Sequence, residues 1–190
     1  MTPENLCDEA VMQRLLAAAG EDGGQGVAAI DAALADHPLD PRLHFLKGSL
    51  LIGLKRFVEA HDALARAVEI APDFALARFQ LGFFELTSGE AEAACETWRP
   101  LRALPAEHWL LHFVTGLEHL IADRFAECIA ALREGIAANA ENPPLNHDMA
   151  LIVARCEELL AAQPGAEPAT EEAEVSATSL LLRATGETRQ

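Results

Sequence analysis

The chain has 190 residues, of which 51% are hydrophobic and 5% aromatic, and its formal net charge is −16 at pH 7. This hydrophobic fraction is large enough for a packed core, which excludes wholesale disorder. The acidic balance leaves no basic patch that could neutralise phosphates, so we expect neither nucleic-acid binding nor attraction to an anionic membrane surface.

The N-terminal sequence MTPENLCDEA has neither a basic start nor an apolar stretch, so no signal peptide is predicted. No apolar run reaches the length of about 18 residues that a membrane span needs. The four cysteines, Cys7, Cys95, Cys128 and Cys156, are far apart and form no CxxC pair, which favours free thiols in a reducing compartment. A cytoplasmic location is the resulting prediction.

Helix-favouring alanine and leucine dominate the chain as far as residue 162. Asp40, Asp73 and Asn142 each stand beside a proline, a pattern typical of helix N-caps. Pro100 should kink or shorten the helix that contains it. We predict helices near residues 4–19, 25–36, 41–54, 57–70, 74–87, 90–103, 107–122, 125–139 and 144–162.

A period of 34 residues runs through the middle of the chain. It relates three glycines, three small residues and three larger ones: Gly48, Gly82 and Gly116; Ala60, Ala94 and Cys128; Leu64, Trp98 and Leu132. A glycine inside a helix costs about 0.8–1.0 kcal/mol relative to alanine. Its recurrence therefore indicates that a partner helix approaches closely at each of these glycines.

The block PRLHFLKGSLLIGLKRFVEAHDALARAVEIAPDF resembles a tetratricopeptide repeat over its whole length, and the matching residues are Gly48, Phe57, Ala60, Leu64, Ala67 and Pro72. Two more copies follow, near 75–108 and 109–142. The resemblance implies an all-α fold of antiparallel helix-turn-helix repeats stacked as a short right-handed superhelix. It implies a degenerate repeat over 1–40, three repeats over 41–142, a capping helix over 143–162, and an acidic linker with a short apolar tail over 163–190.

The helices near 74–87 and 107–122 are apolar nearly all round, which indicates burial on more than one side. In tetratricopeptide proteins the first helix of each repeat lines a concave groove that holds the ligand. The resemblance therefore implies an apolar peptide-binding groove at these positions: Arg42, Phe45, Ile52, Leu76, Phe79, Phe83, Leu86, Leu110, Phe113, Leu117 and Leu120. The alternative is that neighbouring helices bury the same stripes in a tighter bundle. With an open groove, Phe79→Glu combined with Phe113→Glu should abolish partner capture and leave helicity intact.

No arrangement of catalytic groups is evident in the sequence. His108, His112 and His119 share one helix face, but two of them stand where the family usually has aromatic side chains, so we interpret them as partly buried histidines rather than metal ligands. The segment GEDGGQG lacks the lysine and the serine or threonine of a phosphate-binding loop. We expect no enzymatic activity, no cofactor and no bound metal.

The chain ends in SATSLLLRATGETRQ, where Leu180, Leu181 and Leu182 follow the acidic linker. The leucines could dock on the protein's own surface, in cis or on a second copy, serve as a linear motif for a partner, or remain disordered. The predicted function is a protein–protein interaction scaffold or adaptor, chaperone-like in form, that binds an apolar peptide or helix of another protein. The alternative is a structural module that buries its apolar stripes in a homo-oligomer.

Overall fold

The computed structural model describes residues 6–21 and 23–162, and within these ranges it contains helices joined by short loops and no β-strand. The α-helices are α1 Glu9–Glu21, α2 Gly23–Asp36, α3 Pro41–Gly53, α4 Phe57–Ile70, α5 Ala75–Thr87, α6 Ala91–Trp98, α7 Trp109–Ile121, α8 Phe125–Ala138 and α9 Pro143–Ala162. The predicted all-α class is confirmed.

Pro100 shortens its helix as predicted. The α-helix α6 ends at Trp98, and the chain continues as a 3₁₀ helix over Arg99–Ala103. Proline has no N–H to donate, and its ring collides with the preceding turn of an α-helix. The tighter 3₁₀ winding is the consequence.

The chain divides into two compact units, Met1–Leu81 and Gly82–Gln190, and the division falls inside α5. In the first unit α1 packs on α2, α2 on α3 and α3 on α4. In the second unit α6 and the 3₁₀ helix contact α7, α7 packs on α8, and α8 packs on α9. Successive helices are joined by short loops, so they form antiparallel hairpins. The domain boundaries predicted after residues 40 and 142 lie in the loops before α3 and α9 and stay a prediction.

The repeated glycines lie where the two helices of a hairpin touch, which confirms the predicted close approach. A Cβ atom on Gly48 would lie 2.7 Å from Leu64 Cγ, one on Gly82 would lie 2.3 Å from Trp98 Nε1, and one on Gly116 would lie 2.6 Å from Leu132 Cδ2. Real Cβ atoms essentially never come within 3.0 Å of another heavy atom in this way. The 34-residue period therefore records one packing contact made three times.

The turn inside each hairpin repeats with the same period. The second residue after the helix has a positive φ: 59° at Lys55, 93° at Gly89 and 55° at Asp123. In each turn the next N–H donates to the carbonyl five residues earlier, at 3.0, 2.9 and 2.9 Å. This is the Schellman arrangement that satisfies the last carbonyls of a helix. Glycine adopts it without strain, whereas lysine and aspartate do so at a cost.

Two of the predicted N-caps are confirmed. The side chain of Asp40 accepts the N–H two residues later at 3.0 Å, and that of Asn142 accepts the N–H three residues later at 3.2 Å. His108 holds the equivalent position before α7, where its Nδ1 accepts an N–H at 3.1 Å. The predicted cap Asp73 lies one residue before the equivalent position of α5, which Phe74 occupies.

Candidate interaction surface

The predicted groove positions of the first unit are at most partly open. Four of them are half-buried: Arg42, Phe45, Ile52 and Leu76. Phe79 is fully buried. The ring of Phe45 packs on that of Phe74, with the ring centroids 5.3 Å apart, so part of its surface is already covered within the chain.

Most of the predicted groove positions in the second unit belong to the interior. Phe83 is half-buried, and the other five are at most 2% exposed: Leu86, Leu110, Phe113, Leu117 and Leu120. A Cβ on Gly135 of α8 would lie 2.4 Å from Phe113 Cδ1, so the Phe113 ring fills the space that this glycine leaves. The expectation of an open apolar groove along α7 is therefore wrong, because α7 is packed on the side that carries the stripe.

The same burial changes what the proposed groove substitutions would report. Phe79 and Phe113 are both 0% exposed. Glutamate at either position would place an unpaired carboxylate in the interior, which costs several kcal/mol or drives protonation. We now expect Phe79→Glu with Phe113→Glu to unfold the chain, so this pair cannot separate binding from stability.

Arg42, one of the predicted groove positions, is engaged in a buried polar cluster. Asp40 is fully buried and accepts hydrogen bonds from Arg42 Nη2 at 2.7 Å and from the Cys7 N–H at 2.9 Å. Arg42 Nη2 also donates to the Cys7 carbonyl at 2.6 Å. Burial acts to raise the pKa of Asp40, but the hydrogen bonds from Arg42 and Cys7 outweigh it and lower the pKa below its usual value. The cluster fastens the segment before α1 to the start of α3.

The three histidines of the predicted face have separate roles. His108 caps α7, as described above. His112 is partly buried, with Nδ1 3.3 Å from Glu134 Oε2, and His119 is also partly buried, as predicted. Over residues 6–21 and 23–162, no group of three or more histidine, cysteine, aspartate or glutamate side chains is placed to hold a metal ion.

All four cysteines are free thiols. Cys7, Cys128 and Cys156 are buried, and Cys95 is half-buried. The Sγ atoms of Cys128 and Cys156 are 3.9 Å apart. Sequence spacing gave no sign of this pair, since the two residues lie 28 positions apart on different helices.

An exposed apolar surface does exist, at the turn between α3 and α4. In the part of the chain that the structure describes, six large hydrophobic side chains are exposed: Leu16, Leu39, Leu54, Phe57, Val58 and Leu160. Three of these six lie within five consecutive residues, with exposed fractions of 38% for Leu54, 50% for Phe57 and 77% for Val58. We call residues 54–58 the α3–α4 patch.

The α3–α4 patch is cationic as well as apolar. Lys55 and Arg56 are both exposed, and Arg56 forms two hydrogen bonds with Glu59, at 2.6 and 2.7 Å. The surrounding segment, residues 41–74, has five lysines and arginines against four acidic residues, in a chain with 14 against 30 overall. The patch thus lies in a nearly neutral segment of a strongly acidic protein.

In the sequence, Phe57 matches the 34-residue repeat, and this match alone does not predict that its side chain is exposed. A usable signal was present in the adjacent pair Phe57 and Val58. Neighbouring positions on a helix point about 100° apart, and the buried face of α4 consists of Ala60, Ala63, Leu64 and Ala67. Val58 lies off that face and is therefore exposed. The other predicted motif, Leu180–Leu182, lies outside the described residues.

The packing defines an all-α protein built from helix-turn-helix hairpins with a repeated 34-residue contact pattern. No family model matches the chain, and no curated protein matches its sequence. Its structure is similar to a solved structure described as MamA 41-end from Desulfovibrio magneticus RS-1, with a TM-score of 0.56 and 12% sequence identity over 86% of this chain and 98% of that one. The likeness concerns the fold and supports a tetratricopeptide-type arrangement. Within the described ranges, no helix is both long and apolar enough to cross a membrane.

Proposed function

We propose that this chain is a non-catalytic protein-interaction scaffold that takes an apolar segment of another protein on the α3–α4 patch. The observation that carries the proposal is the joint exposure of Leu54, Phe57 and Val58 beside two cationic side chains. Apolar surface grouped in this way is typical of interaction sites, whereas single exposed apolar residues are ordinary. The tetratricopeptide-type fold adds weight, because proteins resembling it commonly serve as scaffolds.

The exposed part of the patch is large enough to support specific binding. Burying a whole phenylalanine or valine side chain contributes about 1.5–3 kcal/mol, and Phe57 and Val58 are 50% and 77% exposed. Covering their exposed parts therefore contributes about 2–3 kcal/mol before any polar contact. Loss of that contribution corresponds to a decrease in affinity of roughly 30- to 150-fold.

Charge defines the kind of segment that fits. Exposed Lys55 favours a carboxylate beside the apolar residues of the partner. The net charge of −16 opposes the approach of a strongly acidic protein. The best partner is accordingly an apolar segment with one or a few acidic residues in a protein that is neutral or basic overall.

Two other occupants share the apolar part of this chemistry. The chain's own sequence EEAEVSATSLLL, residues 171–182, places acidic residues before three leucines. A second copy could also bring its patch against the first and make a homodimer or larger oligomer. Each of these occupants would give a different cross-linked product when the patch carries a photoreactive amino acid.

The test is site-specific photo-cross-linking in the full-length chain, in cells of the source organism. A photoreactive amino acid replaces Val58, and a matched control carries it at Leu16, a leucine of α1 that is 51% exposed. The proposal is supported by a cross-link to an apolar, acid-flanked segment of another protein that is specific to position 58 and is lost with Lys55→Glu and Phe57→Asp. Cross-links to residues 163–190 would assign the patch to the chain's own tail.

Cross-links between two patches would favour the homo-oligomeric module, and light scattering at tens of micromolar would then show a multiple of the monomer mass. Equal yields at positions 58 and 16 would overturn the interaction surface altogether.

A further inference from the structure

Cys128 of α8 and Cys156 of α9 face each other in the interior of the second unit. Their side chains are 0% and 1% exposed, and the two sulfur atoms are 3.9 Å apart. A disulfide bond is about 2.05 Å long, so the sulfur atoms need to approach by roughly 1.9 Å.

We propose that Cys128 and Cys156 are an oxidative modification site at which a peroxide converts the two thiols into an intramolecular disulfide that fastens α9 to α8. The site is independent of the α3–α4 patch and of the proposed scaffold function. Its basis is the juxtaposition of two free thiols from adjacent helices.

The two sulfur atoms have different roles in this reaction. Their mutual hydrogen bond and burial raise the pKa of Cys128, whereas the same hydrogen bond lowers the pKa of Cys156, although burial opposes this. The physical cause is that the Cys128 thiol can donate to a Cys156 thiolate and stabilise it. The pair therefore loses its first proton as a unit, with the second proton held between the two sulfur atoms, and the directions of the two shifts assign the reacting thiolate to Cys156.

The chemistry needs one peroxide molecule. The Cys156 thiolate attacks a peroxide oxygen, so that an S–O bond forms, the O–O bond breaks and hydroxide leaves. The Cys128 sulfur then attacks the resulting sulfenic acid, so that the S–S bond forms, the S–O bond breaks, and the departing hydroxide takes up the Cys128 proton as water. Two thiols are oxidised and one hydrogen peroxide is reduced to two waters.

Access depends on local opening of α9. This helix packs on α8 and is the final helix of the described ranges. Packed elements open locally at free energies that can lie well below that of global unfolding. Oxidation joins residues 128 and 156 across the α8–α9 contact, so the disulfide should suppress the opening that admitted the peroxide.

The experiment uses purified full-length protein treated with hydrogen peroxide, quenched with catalase, denatured, alkylated and digested for mass spectrometry. The expected product is a cross-linked peptide pair containing Cys128 and Cys156, lighter by two hydrogens than the reduced pair and restored by dithiothreitol. Oxidation of Cys95, which is half-buried, shows in the same sample that the peroxide dose was sufficient. Recovery of alkylated Cys128 and Cys156 at a dose that oxidises Cys95 would overturn the proposal, as would preferential linkage of either sulfur to Cys95 or Cys7.

Hydrogen exchange provides a readout that needs no substitution. In the oxidised protein the amides of α9 should exchange more slowly than after dithiothreitol treatment, by a factor of at least about ten. Unchanged exchange of α9 in a sample shown to be fully cross-linked would contradict the fastening of α9 to α8. Cys156→Ser, which removes the first nucleophile, should leave Cys128 without a cross-link and the exchange of α9 independent of peroxide.

Discussion

Gly82→Ala tests the packing contact that the 34-residue period repeats. The new Cβ would lie 2.3 Å from Trp98 Nε1 and 2.7 Å from Trp98 Cδ1, whereas an ordinary contact is 3.4–4 Å. Trp98 is fully buried, so the rigid indole can move only if its neighbours move with it. Either α5 and α6 separate by an ångström or more, or the ring leaves its rotamer.

The magnitude follows from two opposing terms. Alanine gains about 1 kcal/mol over glycine in a helix interior. Overpacking a filled core costs typically about 1–3 kcal/mol, and occasionally more, and the rigid partner puts this site at the upper end. We expect Gly82→Ala to lower the free energy of unfolding by about 2 kcal/mol.

Gly53→Ala is the matched control, because Gly53 also lies in a helix but a Cβ there would meet nothing within 4 Å. It should leave stability unchanged or raise it by up to about 0.5 kcal/mol. Urea unfolding followed by far-ultraviolet circular dichroism measures both variants. Gly48→Ala and Gly116→Ala should fall between them, since their partners are leucine side chains that can partly rotate away. Gly82→Ala matching Gly53→Ala in stability would refute the close-contact explanation of the period.

Two further outcomes follow from the turns and from the buried polar cluster. Lys55→Gly and Asp123→Gly should each raise the free energy of unfolding by about 0.5–1 kcal/mol, because both residues have a positive φ that glycine adopts without strain. Gly89→Ala should lower the free energy of unfolding by about 1 kcal/mol. A change of the same sign in all three variants would contradict the explanation from positive φ. Asp40→Asn should lower stability at pH 7 by about 1–3 kcal/mol, because it removes the carboxylate that accepts from Arg42. The folded-state pKa of Asp40 lies below the unfolded value of about 3.9, so the difference between wild type and Asp40→Asn should persist above about pH 4 and shrink as the pH falls through the folded-state pKa. If the stability difference between wild type and Asp40→Asn grew as the pH fell, the pKa of Asp40 would be raised on folding rather than lowered.

Helix positions were predictable because they depend on short-range features of the sequence. Proline fixes the start of α3 and the end of α6, and polar caps precede α3 and α9. The recurrent glycines were predictable in role as well as position, since a residue that disfavours helix is retained only where a side chain would collide. The Schellman turns at Lys55 and Asp123 were harder to predict, because lysine rarely adopts a positive φ and aspartate, although enriched there, does so at only a small share of its positions.

The open groove is the clearest failure of prediction from sequence. α7 is apolar nearly all round, and periodicity then gives two candidate faces without stating which of them other helices cover. In the structure Phe113 faces Gly135 of α8, and its stripe is buried. The α3–α4 patch was not predicted for a different reason. Apolar residues are frequent throughout the repeat, so residue type alone does not mark Val58 as exposed.

The sequence by itself determined the all-α class, the 34-residue period and the close approach of a partner helix at each recurrent glycine, because each of these depends on local propensity or on a fixed offset within one hairpin. The tertiary structure alone decided which apolar faces are buried, that Arg42 is held by buried Asp40, and that Cys128 lies 3.9 Å from Cys156. These depend on how separate segments of the chain pack together, and a periodic pattern contains no information about which neighbour occupies each face.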